Sequence, residues 1–200
     1  LQAIATARRL GAIVTATDVR PAVKEQVESL GAKFIAVEDE EFAEAETAAG
    51  YAKEMSDAYK QKQSALVREH LKKQDIVICT ALIPGRQAPI LISADMVAEM
   101  KPGAVVVDLA VEQGGNCEGS RLGEVVEVGG VRIVGHDNWP SRIAGDASQL
   151  YAKNLLNFVT TLIDAESKEL AIDWEDEIVQ GTALTRDGAI INPALTGEGN

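Results

Sequence analysis

Two hundred residues suffice for one substantial domain, or for a domain with part of another, and a hydrophobic fraction of 46% excludes a disordered chain. A formal net charge of −12 repels nucleic acid and anionic membrane surfaces at long range, although N–H groups at helix N-termini still bind phosphates locally. No apolar run approaches the roughly 20 residues needed to span a bilayer, and Cys79 and Cys117 alone make no disulfide framework, which fits a reducing compartment.

The chain opens on Leu1 rather than Met and reads as a fragment or processed piece without a signal peptide. Residues 2–10 carry Ile4, Ala7 and Leu10 at helical spacing and stop at Gly11. Residues 12–18 form a β-prone run that ends on Asp18. Pro21 suits the first turn of a helix that places Val23, Val27 and Leu30 on one face, and residues 33–37 form the next strand. This alternation predicts βαβ units and a parallel sheet. Only 4% of residues are aromatic, which favours aliphatic helices packed on a sheet over a β-sandwich.

Residues 38–57 break the rhythm with an acidic, small-residue stretch, and a connection this long is functional or disordered. Residues 57–73 read as a charged surface helix with Leu66, Val67 and Leu71 inward. The continuous apolar run at 75–80 predicts a buried strand. A Pro/Gly loop follows over 81–89, and Ser93 caps a helix with Met96, Val97 and Met100 inside. Residues 104–108 are a second buried strand, leading into Gly114, Gly115 and Asn116. Residues 131–135 are the last core strand. The helix predicted over 151–163 has a wide apolar face (Leu155, Leu156, Phe158, Val159, Leu162) and is expected to pack between two bodies. The tail, 164–200, mixes short strand-like runs with Gly and Pro, and the chain has no internal repeat.

Three places carry chemistry. Asp18 ends the strand after the first helix, where a dinucleotide fold uses a carboxylate to accept the adenosine-ribose hydroxyls and to repel a 2′-phosphate. The plain alternative is that Asp18 caps the turn before Pro21. Arg20 can pair with Asp18, bind pyrophosphate or accommodate a 2′-phosphate. Residues 80–88 lie beyond the carboxyl end of a strand, where open α/β sheets bind ligands, so the backbones of Ala81 and Leu82 can hold a second ribose or a nicotinamide. They can equally be an ordinary turn. Residues 108–116 follow another core strand, and Glu112 there is an acid/base candidate or a loop carboxylate. His70 reads as solvated, His136 as a turn residue, and Trp139 and Trp174 as packing residues. Two His and two Cys, widely separated, have no metal-ligand spacing, and Cys117 has no base beside it.

Several stretches resemble the alpha subunit of proton-translocating NAD(P) transhydrogenase, in its soluble NAD(H)-binding domain I. They are Ala16-Thr17-Asp18-Val19-Arg20, the run from Lys24 to Gly31, Glu46-Thr47, and Gly50-Tyr51-Ala52-Lys53-Glu54-Met55. Thr80-Ala81-Leu82-Ile83-Pro84-Gly85, Asp108-Leu109-Ala110-Val111-Glu112 and Gly114-Gly115-Asn116-Cys117 extend the likeness. Gly135-His136, Pro140-Ser141-Arg142, Asp176-Glu177 and the run Thr185 to Ile190 carry it into the tail.

The resemblance implies a Rossmann-like α/β fold: a parallel sheet with helices on both faces, missing its first strand and glycine loop. It also implies a C-terminal helix and tail belonging to a second, mostly absent domain. The expected domains are 1–143, binding NAD(H), and 144–200, packing with the absent N-terminal domain. Hydride passes directly from NADH to NADP⁺ held on domain III, coupled to proton movement by membrane domain II, so no side chain acts as catalyst and no metal is required. Asp18, Val19 and Arg20 are implied adenosine-ribose contacts. Gly50 and Tyr51 are the implied tip of a mobile loop, and Gln63, Thr80, Ala81 and Leu82 are further nucleotide contacts. A homodimer in the complete protein, and a place at the cytoplasmic face of the bacterial inner membrane through partner domains, are implied as well. Without the glycine loop, the chain is expected to bind nucleotide weakly.

Alanine dehydrogenase is the alternative. It shares the strand-end loops resembling Leu82-Ile83-Pro84-Gly85 and Gln113-Gly114-Gly115, and there Glu112 would match a catalytic acid. The insertion ending Gly50-Tyr51-Ala52-Lys53-Glu54-Met55 favours transhydrogenase. A non-catalytic NAD-binding regulatory module is a third reading.

Overall fold

The structure is a computed structural model that describes residues 1–45, 53, 55–83 and 85–196. It divides into two units, Leu1–Asp137 and Asn138–Asn200.

In the first unit, α1 (Gln2–Arg9), β1 (Thr15–Ala16), α2 (Ala22–Ser29) and β2 (Lys33–Phe34) follow the predicted order. Both strands are shorter than the runs 12–18 and 33–37 suggest. They pair in parallel only with each other, Thr15 opposite Lys33, so no further strand extends the ladder among the described residues. A short α3 (Glu40–Ala43) lies in the stretch where the sequence shows only an irregular connection. Asp39 starts it by accepting the Phe42 N–H at 3.2 Å, which satisfies one of the orphan donors of a first turn. Ser56 caps α4 (Asp57–Leu71) in the same way through Tyr59 N at 3.1 Å.

β3 (Ile76–Cys79), α5 (Ala94–Ala98), β4 (Val105–Asp108), β5 (Glu124–Val128) and β6 (Val131–Gly135) complete the unit. Their sheet has the order β3-β4-β6-β5. The first three strands are parallel, as expected, and β5 runs antiparallel to β6. The β5–β6 hairpin is not expected from the apolar runs. Its signal is Gly129-Gly130, which adopt φ of 59° and 83°, the left-handed values that a tight hairpin turn requires.

Two apolar clusters support these sheets. Val27, Phe34, Phe42 and Tyr59 centre the one beneath β1 and β2. Val97, Val106, Val131 and Ile133 centre the one against β3, β4 and β6. Each such aliphatic side chain contributes about 1.5–3 kcal/mol on burial. Helix α4 serves both clusters, giving Tyr59 to the first and Leu71 and Val67 to the second. Leu66, expected inward, lies on the exposed side, because Tyr59, Val67 and Leu71 occupy the packed face.

β3 is not buried on both faces as its apolar run suggests: Ile76 is 66% and Ile78 47% exposed, while Cys79 is buried. Side chains alternate across a strand, so only one set, Val77 and Cys79, reaches the cluster, and among the described residues the other set stays exposed. β3 is also an edge strand among the described residues.

The second unit contains α6 (Trp139–Arg142), α7 (Ala144–Thr161), α8 (Glu177–Thr182), β7 (Thr185–Arg186), β8 (Ala189–Ile190) and α9 (Pro193–Thr196). α7 starts before the predicted residue 151 and buries no residue, leaving Leu155, Leu156 and Val159 exposed. Asp176 caps α8 by accepting from Ile178 N and Val179 N at 2.8 and 3.1 Å. Asp187-Gly188, with φ of 50° and 82°, turn the β7–β8 hairpin. Trp174 packs under the Arg186 guanidinium at 4.2 Å.

Candidate functional site

Asp18 stands just past the carboxyl end of β1, at a turn that its own side chain organises. Asp18 Oδ1 accepts the Arg20 backbone N–H at 2.9 Å. The Arg20 guanidinium also donates to Asp18 Oδ1 at 3.0 Å and to Oδ2 at 2.9 Å. The turn-capping and ion-pair roles of Asp18 are thus both present. The pair sits partly in solvent, with side-chain exposures of 42% for Arg20 and 25% for Asp18. A carboxylate offers about four lone-pair positions; Arg20 fills three, so one remains for a ligand hydroxyl, and a second opens if the guanidinium moves aside. Val19 is exposed beside it.

Gln63, on α4, reaches the same corner. Its Nε2 donates to Thr17 Oγ1 at 3.0 Å, and its Oε1 accepts the Val37 N–H at 2.8 Å. One amide therefore ties the ends of β1 and β2 together. His70, farther along α4, is not solvated as expected. Its Nε2 lies 2.8 Å from Thr15 Oγ1 and 3.1 Å from Gln74 Nε2, and burial, with Lys33 and Lys73 nearby, pushes its pKa down. Gly50 and Tyr51 lie outside the described residues.

A second group forms past the carboxyl ends of β3 and β4. Thr80 and Leu82 are exposed there, and Ala81 is half-buried. Within the 108–116 motif, Asp108 and Asn116, for which the sequence alone suggests no role, are the two buried polar side chains among the described residues. Asp108 Oδ1 accepts Ala110 N–H at 3.0 Å. Its Oδ2 accepts Asn116 N–H at 2.9 Å, Cys117 N–H at 3.0 Å and the Ser120 hydroxyl at 2.6 Å. Gly114 and Gly115, at φ of 98° and 85°, turn the chain so that these successive N–H groups converge on the carboxylate. A Cβ at Gly115 would stand 2.8 Å from Asp108 Oδ2, so glycine is needed for space as well as for φ.

Asn116 then joins this turn to the loop after β3. It bonds both backbone groups of Ala81 and the carbonyl of Pro89. Backbone bonds from Ala88 N to Gln113 O (2.7 Å) and from Leu91 N and Ile92 N to Asn116 O (2.8 and 3.0 Å) add to the seam.

Neither cysteine beside this group is an activated nucleophile. Burial, then the Asp108 charge, pushes the thiols of Cys79 and Cys117 up to about 12, so both are thiols at neutral pH. Glu112 lies exposed in the 3₁₀ turn Val111–Gln113. Among the described residues, no three His, Cys, Asp or Glu side chains are grouped to hold a metal, and no helix is long and apolar enough to cross a membrane. A shallow trough on α4, lined by Asp57, Lys60, Gln61, Ser64, Ala65 and Arg68, includes none of the strand-end residues and is an open, solvated surface.

Over residues 1–193, the sequence matches the family described as alanine dehydrogenase/PNT, C-terminal domain. An NAD(P) transhydrogenase alpha-subunit protein of Rhodospirillum rubrum is 62% identical over 199 residues, which is 100% of this chain and 52% of that protein. The crystal structure of transhydrogenase from Sinorhizobium meliloti is similar with a TM-score of 0.75 at 60% identity, covering 95% of this chain and 49% of that one. Alanine dehydrogenase 1 of Staphylococcus aureus is 30% identical over 154 residues, 72% of this chain and 41% of its own length. The chain thus spans between 37% and 52% of the length of curated relatives such as these.

Proposed function

The chain belongs to the alanine dehydrogenase/PNT C-terminal domain family, and on that premise we propose that it is the NAD(H)-binding part of a transhydrogenase. The observation that carries this reading is the Asp18 carboxylate, partly exposed at the carboxyl end of a parallel strand and held in place by Arg20. The 62% identity with a transhydrogenase subunit, against 30% with an alanine dehydrogenase, supports the choice within the family.

In this reading Asp18 accepts the adenosine-ribose hydroxyls, with Val19 and Arg20 beside it, and its charge disfavours a 2′-phosphate. Gln63 braces the strand ends and faces the same ribose. The segment Thr80, Ala81 and Leu82 supplies the second contact, past the end of β3, with both backbone groups of Ala81 already bonded to Asn116, and Gly50 and Tyr51 close over the ligand. NADH, when bound, supplies the hydride. The chain's own residues bind, orient and exclude water, and no side chain takes a proton. The hydride acceptor is NADP⁺ on a partner domain III, and a membrane domain II couples transfer to proton movement at the cytoplasmic face of an inner membrane. We further propose that a glycine turn and a parallel strand complete the sheet beside β1 and β3, whose outer edges carry no strand among the described residues. Residues 144–200 then pack with the N-terminal domain and form part of a homodimer; the exposed apolar face of α7 supports this.

The test uses the complete reading frame. NADH-dependent reduction of an NADP⁺ analogue is followed with domain III added, beside a control with pyruvate and ammonium. Reduction of the analogue alone is expected. NADH consumption only with pyruvate and ammonium would sink this reading in favour of alanine dehydrogenase, with Glu112 as the acid to explain.

A further inference from the structure

One side chain holds the loop that follows β3. Asn116 is fully buried, and all three of its N–H hydrogens are used. The backbone N–H goes to Asp108 Oδ2 at 2.9 Å, and Nδ2 donates to the carbonyls of Ala81 at 2.9 Å and Pro89 at 2.8 Å. Oδ1 accepts the Ala81 N–H at 2.9 Å. The amide can face only this way, because the two carbonyls offer no hydrogen and the Ala81 N–H needs an acceptor. Ala81 is therefore gripped at both backbone groups, as if paired to a neighbouring strand. Leu82, the next residue, is 54% exposed.

We propose that Asn116 is a positioning residue of the dinucleotide site. By clamping Ala81 it aims the Leu82 backbone at the nicotinamide-side half of the ligand, and it touches no ligand itself. This rests on the NAD(H)-binding reading above. The Ala81 N–H has one hydrogen, already donated to Asn116, so Ala81 contributes through its place in the chain and Leu82 makes the contact. Asp108 stands behind the clamp. It fixes the Asn116 backbone through the Gly114-Gly115 turn, which lets a carboxamide rather than a longer side chain reach the loop. The adenosine-side group is built from β1, β2 and α4, so a change at Asn116 acts on one half of the ligand only.

The complete subunit tests this with two probes, NADH and AMP, each measured by direct titration. Asn116→Asp keeps the shape but puts a carboxylate opposite two carbonyls. The expected result is NADH affinity about tenfold weaker or more, the size of effect from losing a buried hydrogen bond, with AMP affinity within about twofold of the parent. Equal weakening of both probes, or of neither, overturns the proposal. A parent subunit that binds neither NADH nor AMP overturns the nucleotide reading itself, and the proposal with it. If Asn116→Asp does not fold, hydrogen exchange at single amides of the parent decides. Ala81 N–H is expected to be protected without ligand and unchanged by NADH, and Leu82 N–H to gain protection only with NADH. Ala81 N–H exchanging freely until NADH is added would make Ala81 the contact and overturn the clamp.

Discussion

Asp18 and Asp108 both stand at the carboxyl end of a parallel strand, yet their surroundings have little in common. Asp108 is fully buried and accepts three backbone N–H groups and a hydroxyl. Asp18 is partly exposed, and apart from one backbone N–H its partner is the half-exposed guanidinium of Arg20. A carboxylate surrounded by fixed dipoles holds a loop, because removing it strands donors that water cannot reach. A carboxylate paired with a long, solvated side chain can exchange that partner for a ligand at small cost. Position at a strand end is common to both; burial separates the structural acid from the acid proposed to bind.

The strongest way to break this contrast is Asp108→Ala. It leaves the N–H groups of Ala110, Asn116 and Cys117 unpaired and buried, and the expected loss in unfolding free energy is about 3 kcal/mol or more by denaturant titration. A loss below about 1 kcal/mol would mean that water replaces the carboxylate. Gly115→Ala attacks the same turn sterically. A left-handed φ and a Cβ 2.8 Å from Asp108 Oδ2 predict a loss of about 1–3 kcal/mol, read from the same titration. Asp18→Asn should do the reverse. Unfolding free energy stays within about 0.5 kcal/mol of the parent. In the complete protein, NADH affinity falls about tenfold and the preference over NADPH shrinks. If stability drops as far as in Asp108→Ala, the contrast fails.

The smallest effect belongs to an ion cluster remote from both acids. Arg68, and then Lys72, pull the Glu99 carboxyl down to about 2. A carboxyl whose folded pKa is lowered adds stability above its ordinary value of about 4.5, and loses it as pH falls toward 2. Glu99→Gln should therefore flatten the stability profile between those values: its loss, small for so exposed a cluster, is present at neutral pH and vanishes as pH falls toward 2. The effect should shrink further in high salt, because the cluster is solvent-exposed.

Much of the first unit was legible because its signals are local. Gly11 and Gly31 follow helices at left-handed φ, Ser93 caps α5, and the apolar run 104–108 becomes β4, pairing with strands on both sides. Where sequence and structure differ, the pattern is local and the outcome is not. The run 75–80 is as apolar as a central strand, but β3 has a neighbour on only one side among the described residues, so Ile76 and Ile78 stay exposed. His70 sits among charged helical residues and reads as solvated, yet Thr15, 55 positions away, meets its ring.

The candidate site divides along the same line. Asp18 is recognisable from its neighbours alone, since a short apolar run ending in an acid before a proline describes a strand end and a turn. Nothing beside Asn116 in the sequence announces that it meets Ala81, 35 positions earlier, and Pro89, 27 positions earlier. Glycine pairs and a following Asn are legible as a turn. Which loop that turn grips depends on two parallel strands lying side by side with Cys79 opposite Asp108. Chain order carries local propensity and periodicity, whereas burial and long-range hydrogen bonds exist only once distant segments share a core.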